Sequence, residues 1–229
     1  MNPKDRWNST SRTYDWLTFG EGLRQGDSKR RHFANARGRT ILVAVGTGAD
    51  IKFLPPGLDI VGIDISPGMI DKAQPRSQGY NGNIELQVMD AHHLDFPDDT
   101  FDTAITACTF CSVPEPVEGL HELRRVLKPG GRLLMYEHVR SNVPAVGLFL
   151  DFMTYITRFM IGPDLNRDTV ENARRAGFRV ISERNIYFDI VKAVEAINPP
   201  EAESAPATVS SALEARPTGL QPGHPGNVG

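Results

Sequence analysis

Apolar runs of strand length alternate with helix-length segments through the middle of the chain. The first run, TILVAV at 40–45, carries no charged residue, and such continuous runs are typical of strands buried on both faces of a parallel sheet. Similar runs follow at 58–65, 84–90, 101–108 and 132–139. This alternation predicts parallel strands linked by helical crossovers and excludes an all-helical or an all-β fold.

Turn and capping residues predict where the helices begin and end. Ser66-Pro67 suits the N-cap and first position of one helix, and Pro116 opens a second. The sequence KPGG at 128–131 ends that second helix before the fifth strand. An apolar helix is predicted over 144–161, and Gly177 fits the position that follows the last helix.

The last two strand-like runs, FRVISERNI at 178–186 and YFDIVKAV at 187–194, follow each other with almost no connecting residues. Strands joined so tightly form an antiparallel pair. The predicted fold class is therefore α/β. It is a Rossmann-like, doubly wound, seven-stranded sheet that is mostly parallel, with an antiparallel C-terminal hairpin strand and an N-terminal helical arm.

Composition divides the chain into three parts. Of its 229 residues, 40% are hydrophobic, which is enough for one α/β core and leaves little for a second. We expect this core at 39–197. Residues 1–38 contain both tryptophans and many basic side chains, and we expect a helical arm or cap there. Residues 198–229 are rich in Pro, Gly, Ser and Ala, which predicts a disordered tail.

Charge and hydropathy limit the cellular location and the classes of binding partner expected for this protein. The 28 acidic and 25 basic residues give a net charge of −3, which argues against nucleic acid as the main partner. The sequence shows no apolar run of about 18 residues and no secretory signal, and two cysteines are too few for a disulfide scaffold. A cytoplasmic protein is expected. Its basic arm either packs on the core or contacts an anionic membrane surface.

Residues able to bind a nucleoside stand at the ends of three predicted strands. Gly46-Thr47-Gly48 follows the first strand, Asp64 ends the second, and Asp90-Ala91 ends the third. Ligands of doubly wound sheets bind at the carboxyl ends of the strands, where carboxylates accept hydrogen bonds from ribose hydroxyls or an adenine amino group. An NAD-type fingerprint is excluded, because Ile51 stands where its third glycine belongs.

Three longer stretches carry a family resemblance: GIDISPGMIDKA, MDAHHLDFPDDTFD and LHELRRVLKPGGRLL. They resemble the class I S-adenosylmethionine-dependent methyltransferases over roughly residues 10–195. Within that family the chain is similar to the ubiquinone/menaquinone C-methyltransferases and the bacterial phospholipid N-methyltransferases. GTGADIKFLPPG, CSV and EHV resemble membrane-associated small-thiol methyltransferases. The resemblance implies S-adenosyl-L-methionine as the cofactor and a small-molecule acceptor.

The resemblance also implies roles for the residues that match the family pattern. At the methionyl end, Gly46, Thr47 and Gly48 would contact the cofactor, and Ala107 would lie beside the sulfonium with Cys108.

At the nucleoside end, the resemblance assigns Asp64 to the ribose hydroxyls and Ile65 to the adenine face. Asp90 and Ala91 would contact the adenine amino group and ring edge. Tyr14 belongs to a Tyr-Asp pair that resembles the N-terminal arm of the family, and it would close over the pocket.

Two positions depart from the family pattern of acid-x-Gly-x-Gly-x-Gly. Leu42 replaces the acid that helps to bind the cofactor's ammonium group, and Ala44 replaces the first glycine. We expect either weaker cofactor binding or another group that supplies the missing charge.

Other polar residues have less specific signals. Cys108 and Cys111 form a C-x-x-C pair without a second ligand pair, which favours packing, with a pocket-lining thiol as the alternative. His92 and His93 are expected in a surface loop, with a place beside the adenine or acceptor as the alternative. No grouping of His, Asp and Glu has the spacing of metal ligands, so no metal is predicted.

Glu137 and His138 end the fifth strand and are expected to face the acceptor. His138 is the first candidate for a catalytic proton acceptor, because an imidazole titrates near neutral pH. A residue that merely caps the following loop is the alternative. The apolar helix over 144–161 is either a wall of the acceptor pocket or part of the core.

The resulting hypothesis is methyl transfer to a small, fairly apolar acceptor: a quinone-type carbon, a phospholipid amine or a small thiol. The sulfonium is already activated, so the protein mainly aligns the nucleophile and excludes water. A non-catalytic binding or assembly module is the alternative, which Leu42 favours and the intact Asp64 and Asp90 oppose.

Overall fold

The computed structural model describes residues 3–141, 143, 144, 148, 167–187 and 189–200. Within them the strands are β1 (Arg39–Val43), β2 (Asp59–Asp64), β3 (Asn83–Val88), β4 (Phe101–Ala107), β5 (Leu127–His138), β6 (Arg179–Tyr187) and β7 (Val191–Ile197). The helices are α1 (Pro3–Phe33), α2 (Pro67–Ser77), α3 (Pro116–Val126) and α4 (Thr169–Arg175), with a 3-10 turn at Ile51–Phe53. Almost all of the helix predicted over 144–161, and residues 201–229 of the predicted tail, lie outside the described residues.

The strands form one sheet in the order β3-β2-β1-β4-β5-β7-β6. Strands β1 to β5 run parallel, and β7 is antiparallel to both of its neighbours. The predicted fold class is therefore confirmed. From β1 the chain moves outward through β2 to β3 and then returns to β4 on the other side of β1. At such a reversal a crevice forms beyond the carboxyl ends of the strands.

Helices pack on both faces of the sheet because the central strands carry apolar side chains on both faces. On one face, Ile41 and Val43 of β1 belong to the same buried cluster as Leu123 of α3. On the other face, Leu42 belongs to a cluster that contains Phe33 of α1. Each such buried side chain stabilises the fold by about 1.5–3 kcal/mol. The uncharged run at 40–45 thus reflects burial from both sides.

The predicted capping residues are in place. The Ser66 hydroxyl accepts a hydrogen bond from the Met69 N–H at 3.2 Å, and Pro67 is the first residue of α2. Gly177 follows α4 with a φ of +88°, in the left-handed region that favours glycine. None of the described helices is both long and apolar enough to cross a membrane.

The KPGG sequence forms an irregular beginning of β5, where the register with β4 shifts. Asn198 fills this irregularity: its N–H donates to the Gly131 carbonyl at 2.9 Å and its carbonyl accepts from the Gly130 N–H at 2.7 Å. Its side-chain amide donates to the carbonyl of Leu127, also at 2.7 Å. Asn198, which composition assigned to the tail, is buried within the folded core.

Candidate functional site

A pocket opens where the strand order reverses, at the carboxyl ends of β1, β2 and β4. Its walls come from α1, the ends of these strands, the segment after β3 and the loop between β4 and α3. Its lining residues are Trp7, Tyr14, Val43, Ala44, Gly46, Ile63, Asp64, Ile65, Met69, Met89, Asp90, Ala91, His92, Ala107, Cys108, Thr109, Ser112, Val113 and Pro114. Most of them are apolar, so the pocket suits a ligand with an apolar body and a few polar groups.

Asp64 is held rigidly at the end of β2. One carboxylate oxygen accepts from the Gly46 N–H and the other from the Ser66 N–H, both at 2.9 Å. The residue is only 7% exposed. Burial raises the pKa of Asp64 above its ordinary value, although the two N–H donors act in the opposite direction. The carboxylate is thus fixed at the pocket wall, where its remaining lone pairs can accept further hydrogen bonds.

The glycine turn after β1 allows α2 to pack closely against it. Gly46 and Gly48 have φ values of +57° and +80°, in the region that residues with a Cβ rarely adopt. A Cβ on Gly48 would lie 3.1 Å from the Cα of Ala73 in α2, so this glycine permits close packing of the helix. Gly46 lines the pocket, whereas Thr47 and Gly48 are not among its lining residues.

Two other lining residues have left-handed backbones without being glycine. Ala44 after β1 and Cys108 after β4 both have φ values of +53°. Such a conformation costs an L residue about 1–2 kcal/mol, and strain of this kind concentrates at functional sites. The geometry explains why the family pattern has glycine where this chain has Ala44.

Asp90 follows β3 and forms a compact unit with His92. The backbone N–H of His92 lies 3.0 Å from Oδ1 of Asp90, and the imidazole Nδ1 lies 2.7 Å from the same oxygen. Burial disfavours the charge of Asp90, but these contacts outweigh it and lower the pKa of the carboxyl group. The imidazole Nε2 lies 2.6 Å from the carbonyl oxygen of Pro114 in the β4–α3 loop. His92 therefore lines the pocket and does not belong to a surface loop remote from it.

Glu137 lies beneath the pocket wall and not in the acceptor position expected for it. The residue is fully buried. Its Oε1 accepts from the Thr106 hydroxyl at 2.8 Å and from the N–H groups of Thr109 and Phe110 at 3.1 and 3.4 Å. The expected direction is wrong because the side chain turns back under the β4–α3 loop. Glu137 anchors that loop.

Arg167 binds carbonyl groups of the same β4–α3 loop. Its guanidinium donates to the carbonyl oxygens of Phe110 and Val113. The Glu137 carboxyl group therefore binds N–H groups of one short turn, and the Arg167 guanidinium binds carbonyl groups of the same turn. Five residues of this loop line the pocket: Cys108, Thr109, Ser112, Val113 and Pro114.

Helix α1 covers the pocket at two attachment points. The Asn8 side-chain oxygen accepts from the Gly68 N–H at 2.9 Å, which fastens the helix to the start of α2. Two helical turns further along α1, Asp15 accepts from the Thr47 hydroxyl at 2.6 Å. Trp7 and Tyr14, each one residue before an attachment point, line the pocket, with their rings 6.1 Å apart and edge to face.

Leu42 is buried in the cluster on the α1 side and does not line the pocket. Two carboxylates of other residues lie close to the glycine turn. Asp50 is paired with the buried Lys29 at 2.9 Å. Asp15 is bound to Thr47 within the turn itself.

The two cysteines differ in environment. Cys108 lines the pocket, whereas Cys111 is buried, with its Sγ 3.3 Å from the carbonyl oxygen of Cys108. Burial raises the pKa of Cys111 to about 12, so it is not a reactive thiol. In the described part of the chain, no group of three or more His, Cys, Asp and Glu residues could hold a metal ion.

The structure brings most of the predicted residues together in one pocket: Tyr14, Gly46, Asp64, Ile65, Asp90, Ala91, Ala107 and Cys108. His138 ends β5 and is half-buried, and it is not among the residues that line this pocket. Sequence reasoning missed Trp7, Met69, Met89 and the Ser112–Pro114 stretch. Trp7 lies seven residues before Tyr14, which is two helical turns, and this spacing was the one signal that would have found it.

Comparison with known proteins finds methyltransferases. The family described as "Methyltransferase domain" matches residues 41–135. A phosphatidylethanolamine N-methyltransferase of Cereibacter sphaeroides is 36% identical over 138 residues, covering 57% of this chain and 68% of the relative. A demethylmenaquinone methyltransferase of Clavibacter sepedonicus is 30% identical over 225 residues, covering 87% and 90%.

A third relative and a solved structure are also similar to this chain. The thiol S-methyltransferase TMT1B of Rattus norvegicus is 30% identical over 139 residues, covering 58% of this chain and 57% of the relative. The crystal structure of a SAM-dependent methyltransferase from Aquifex aeolicus superposes with a TM-score of 0.61 at 21% identity, covering 86% of this chain and 98% of that one. At that identity the superposition shows a shared fold.

Proposed function

Because this chain belongs to the class I S-adenosylmethionine-dependent methyltransferases, we propose that it methylates a small, largely apolar acceptor. The candidate acceptors are a quinone-type carbon, a phospholipid amine and a small thiol, which correspond to the names of the relatives. One observation carries the proposal: Asp64 and Asp90 stand at neighbouring strand ends in a pocket whose other walls are mainly apolar.

The donors and acceptors of this pocket fit S-adenosylmethionine. Asp64 retains lone pairs that suit two ribose hydroxyls, since its two backbone contacts occupy only part of its capacity. In the described residues, the hydrogen bonds of Asp90 reach only Oδ1, which leaves Oδ2 for an adenine amino group. Ile65, Met89 and Ala91 provide apolar contact for the ring.

When bound, S-adenosylmethionine supplies a methyl group on a positively charged sulfur. The protein's part is to orient the acceptor and to exclude water. Ala107 and Cys108 would lie beside the sulfur, and Trp7 and Tyr14 of α1 would shield the pocket from solvent. A neutral amine attacks without losing a proton first, whereas a carbon or thiol acceptor needs a proton acceptor. For those two classes the base expected from the sequence is His138, which ends β5 outside the residues that line this pocket, and its catalytic role stays a prediction.

Asp15 is our candidate for the carboxylate that is missing at position 42. It accepts from the Thr47 hydroxyl and from the Arg76 guanidinium at 2.9 Å, so its carboxylate lies at the glycine turn as one half of an ion pair. Burial disfavours that charge, but the hydrogen bonds from Arg76 and Thr47 lower the pKa of Asp15 and keep it ionised. A carboxylate so placed can attract the ammonium group of the cofactor.

An Asp15→Asn variant should therefore bind S-adenosylmethionine about tenfold more weakly, the scale of one charge-assisted contact. Methylthioadenosine, which lacks the ammonium and carboxylate groups, should bind the variant as it binds the original protein. Calorimetry with both ligands measures the difference, and Asp71→Asn, at an exposed site on α2, is the control. An equal loss for both ligands would assign Asp15 a purely structural role.

The acceptor is tested with purified protein and S-adenosylmethionine labelled in its methyl group. Separate reactions offer a demethylated quinone, phosphatidylethanolamine vesicles and an alkyl thiol. We expect label in one of these classes. If no class takes up label although S-adenosylhomocysteine binds, the methyl-transfer proposal is limited to acceptors of other chemistry.

A non-catalytic module is the second candidate function, and the observation that favours it is Leu42 in place of the acid. One binding measurement distinguishes the non-catalytic module from the methyltransferase. A module that has lost the cofactor should show no equilibrium binding of S-adenosylhomocysteine, whereas a methyltransferase should bind it.

A lipid-like acceptor would bring the protein to a membrane surface. Helix α1 exposes basic side chains, among them Lys4 and Arg12. We expect flotation with anionic vesicles at low salt and its loss at high salt, because salt screens exposed charges. The double variant Lys4→Glu/Arg12→Glu should abolish flotation, and Arg175→Glu on α4 should retain it. Equal flotation of both variants would show that α1 does not make the contact.

A further inference from the structure

His92 connects two segments of the chain that both line the pocket. On one side its Nδ1 lies 2.7 Å from Oδ1 of Asp90, in the segment after β3. On the other side its Nε2 lies 2.6 Å from the carbonyl oxygen of Pro114, in the β4–α3 loop. The side chain is only 19% exposed. The imidazole is thus a bridge between these two segments.

The partners of this bridge fix its protonation state. A neutral imidazole carries one N–H and one unprotonated nitrogen. The carbonyl of Pro114 has no proton to give, and Asp90 is a carboxylate, so both partners only accept. Both contacts are hydrogen bonds only when both ring nitrogens carry a proton, which is the imidazolium form.

We infer that His92, as an imidazolium, is a positioning residue that orients Asp90 for the cofactor and ties the β4–α3 loop to the adenine side of the pocket. By occupying Oδ1, it leaves the other oxygen of Asp90 for the ligand. By holding Pro114, it fixes the rim that includes Val113. The inference rests on the proposed function, because it assumes that this pocket binds S-adenosylmethionine.

The surrounding charges favour the imidazolium. Burial disfavours it, but the hydrogen bonds to Asp90 and Pro114 and the charges of Asp90 and Glu118 raise the pKa of His92 above 6.5. Glu118 belongs to α3, and His93 is the other titratable group that acts on Asp90. Because the folded pKa is raised, the bridge is complete below about pH 6.5 and is lost as pH rises through the folded pKa.

Cofactor affinity should follow this titration. We expect S-adenosylhomocysteine to bind the unaltered protein about tenfold more weakly at pH 9 than at pH 6, the scale of one lost charge-assisted hydrogen bond. His92→Gln cannot donate along both directions at once, so it should bind weakly at both pH values. His93→Gln, a change at the neighbouring histidine, should keep the full pH dependence. Calorimetry across this range measures all three proteins.

A second measurement needs no ligand. In the free protein, nitrogen NMR of the imidazole should show both His92 nitrogens protonated at a pH where a free histidine is neutral. A single neutral tautomer there, or a His92→Gln variant with unchanged pH-dependent affinity, would overturn the inference. A bridging imidazolium in a protein that fails to bind S-adenosylhomocysteine at any pH would instead overturn the proposed function.

Discussion

Asp64→Ala should abolish tight binding of S-adenosylmethionine, lowering affinity by about ten- to hundredfold. The variant removes the proposed acceptor for the ribose hydroxyls, and hydrogen bonds to a charged group contribute about 1.5–3 kcal/mol. It also leaves the N–H groups of Gly46 and Ser66 without their partner, so the ends of β1 and β2 lose their mutual support. Calorimetry with S-adenosylhomocysteine measures the loss directly.

The same strand offers a matched control. Asp59 begins β2, at the opposite end from Asp64, and its side chain is half-exposed, 3.6 Å from Arg39. Surface ion pairs of this kind contribute about 0–1 kcal/mol, so Asp59→Ala should bind the cofactor normally. If Asp64→Ala binds as well as Asp59→Ala does, the ribose assignment is wrong.

Glu137→Ala should produce the largest loss of stability. The change leaves the hydroxyl of Thr106 and the N–H groups of Thr109 and Phe110 unpaired in the protein interior. Unsatisfied buried donors cost about 1–3 kcal/mol each, and partial relaxation of the loop suggests a total of about 2–4 kcal/mol. Urea unfolding should show this loss, with Glu85→Ala on the exposed face of β3 as the near-neutral control.

Glu137→Gln tests the charge of the same residue. Burial raises the pKa of Glu137 to about 7, although the hydroxyl and N–H donors oppose the shift. Its Oε2 has no hydrogen-bond partner among the described residues, as expected where the charged form is disfavoured. The folded protein therefore binds this proton more tightly than the unfolded chain, whose glutamates titrate near 4.3.

The sign of the pH effect follows from that difference. The contribution of Glu137 to stability is greatest below the unfolded pKa and declines as pH rises toward 7. Between pH 5 and pH 8 the unaltered protein should lose about 2–3 kcal/mol relative to Glu137→Gln, which has no proton to lose. Urea unfolding at both pH values gives the difference, and a constant gap would show that Glu137 is ionised throughout.

The fold and the site residues at the strand ends could be predicted from the sequence because parallel sheets have a simple geometry. All parallel strands end on one edge, so Gly46, Asp64 and Asp90 had to approach one another once their strands were recognised. The order of the apolar runs was enough for this inference, and no side-chain detail was needed.

The remaining features depend on contacts that no local pattern records. Trp7 reaches the pocket because Asn8 binds Gly68, sixty residues further along the chain. The direction of Glu137 depends on the path of the β4–α3 loop, and the place of His92 depends on a carbonyl group in that loop. A polar residue at a strand end signals a site in general, but whether it faces the ligand or supports the wall is decided by tertiary packing.

The position of β7 has a consequence for the order of folding. This strand lies between β5 and β6 although it follows both in the chain. The parallel strands can pair as they are synthesised, but β5 keeps an open edge until β7 arrives, and β6 has no place in the sheet before then. Open strand edges promote aggregation. The closing step needs Asn198 as well, because its bonds to Gly130 and Gly131 close the junction at the beginning of β5. A nascent chain of this protein is therefore expected to need protection by chaperones until its C-terminal strand has left the ribosome.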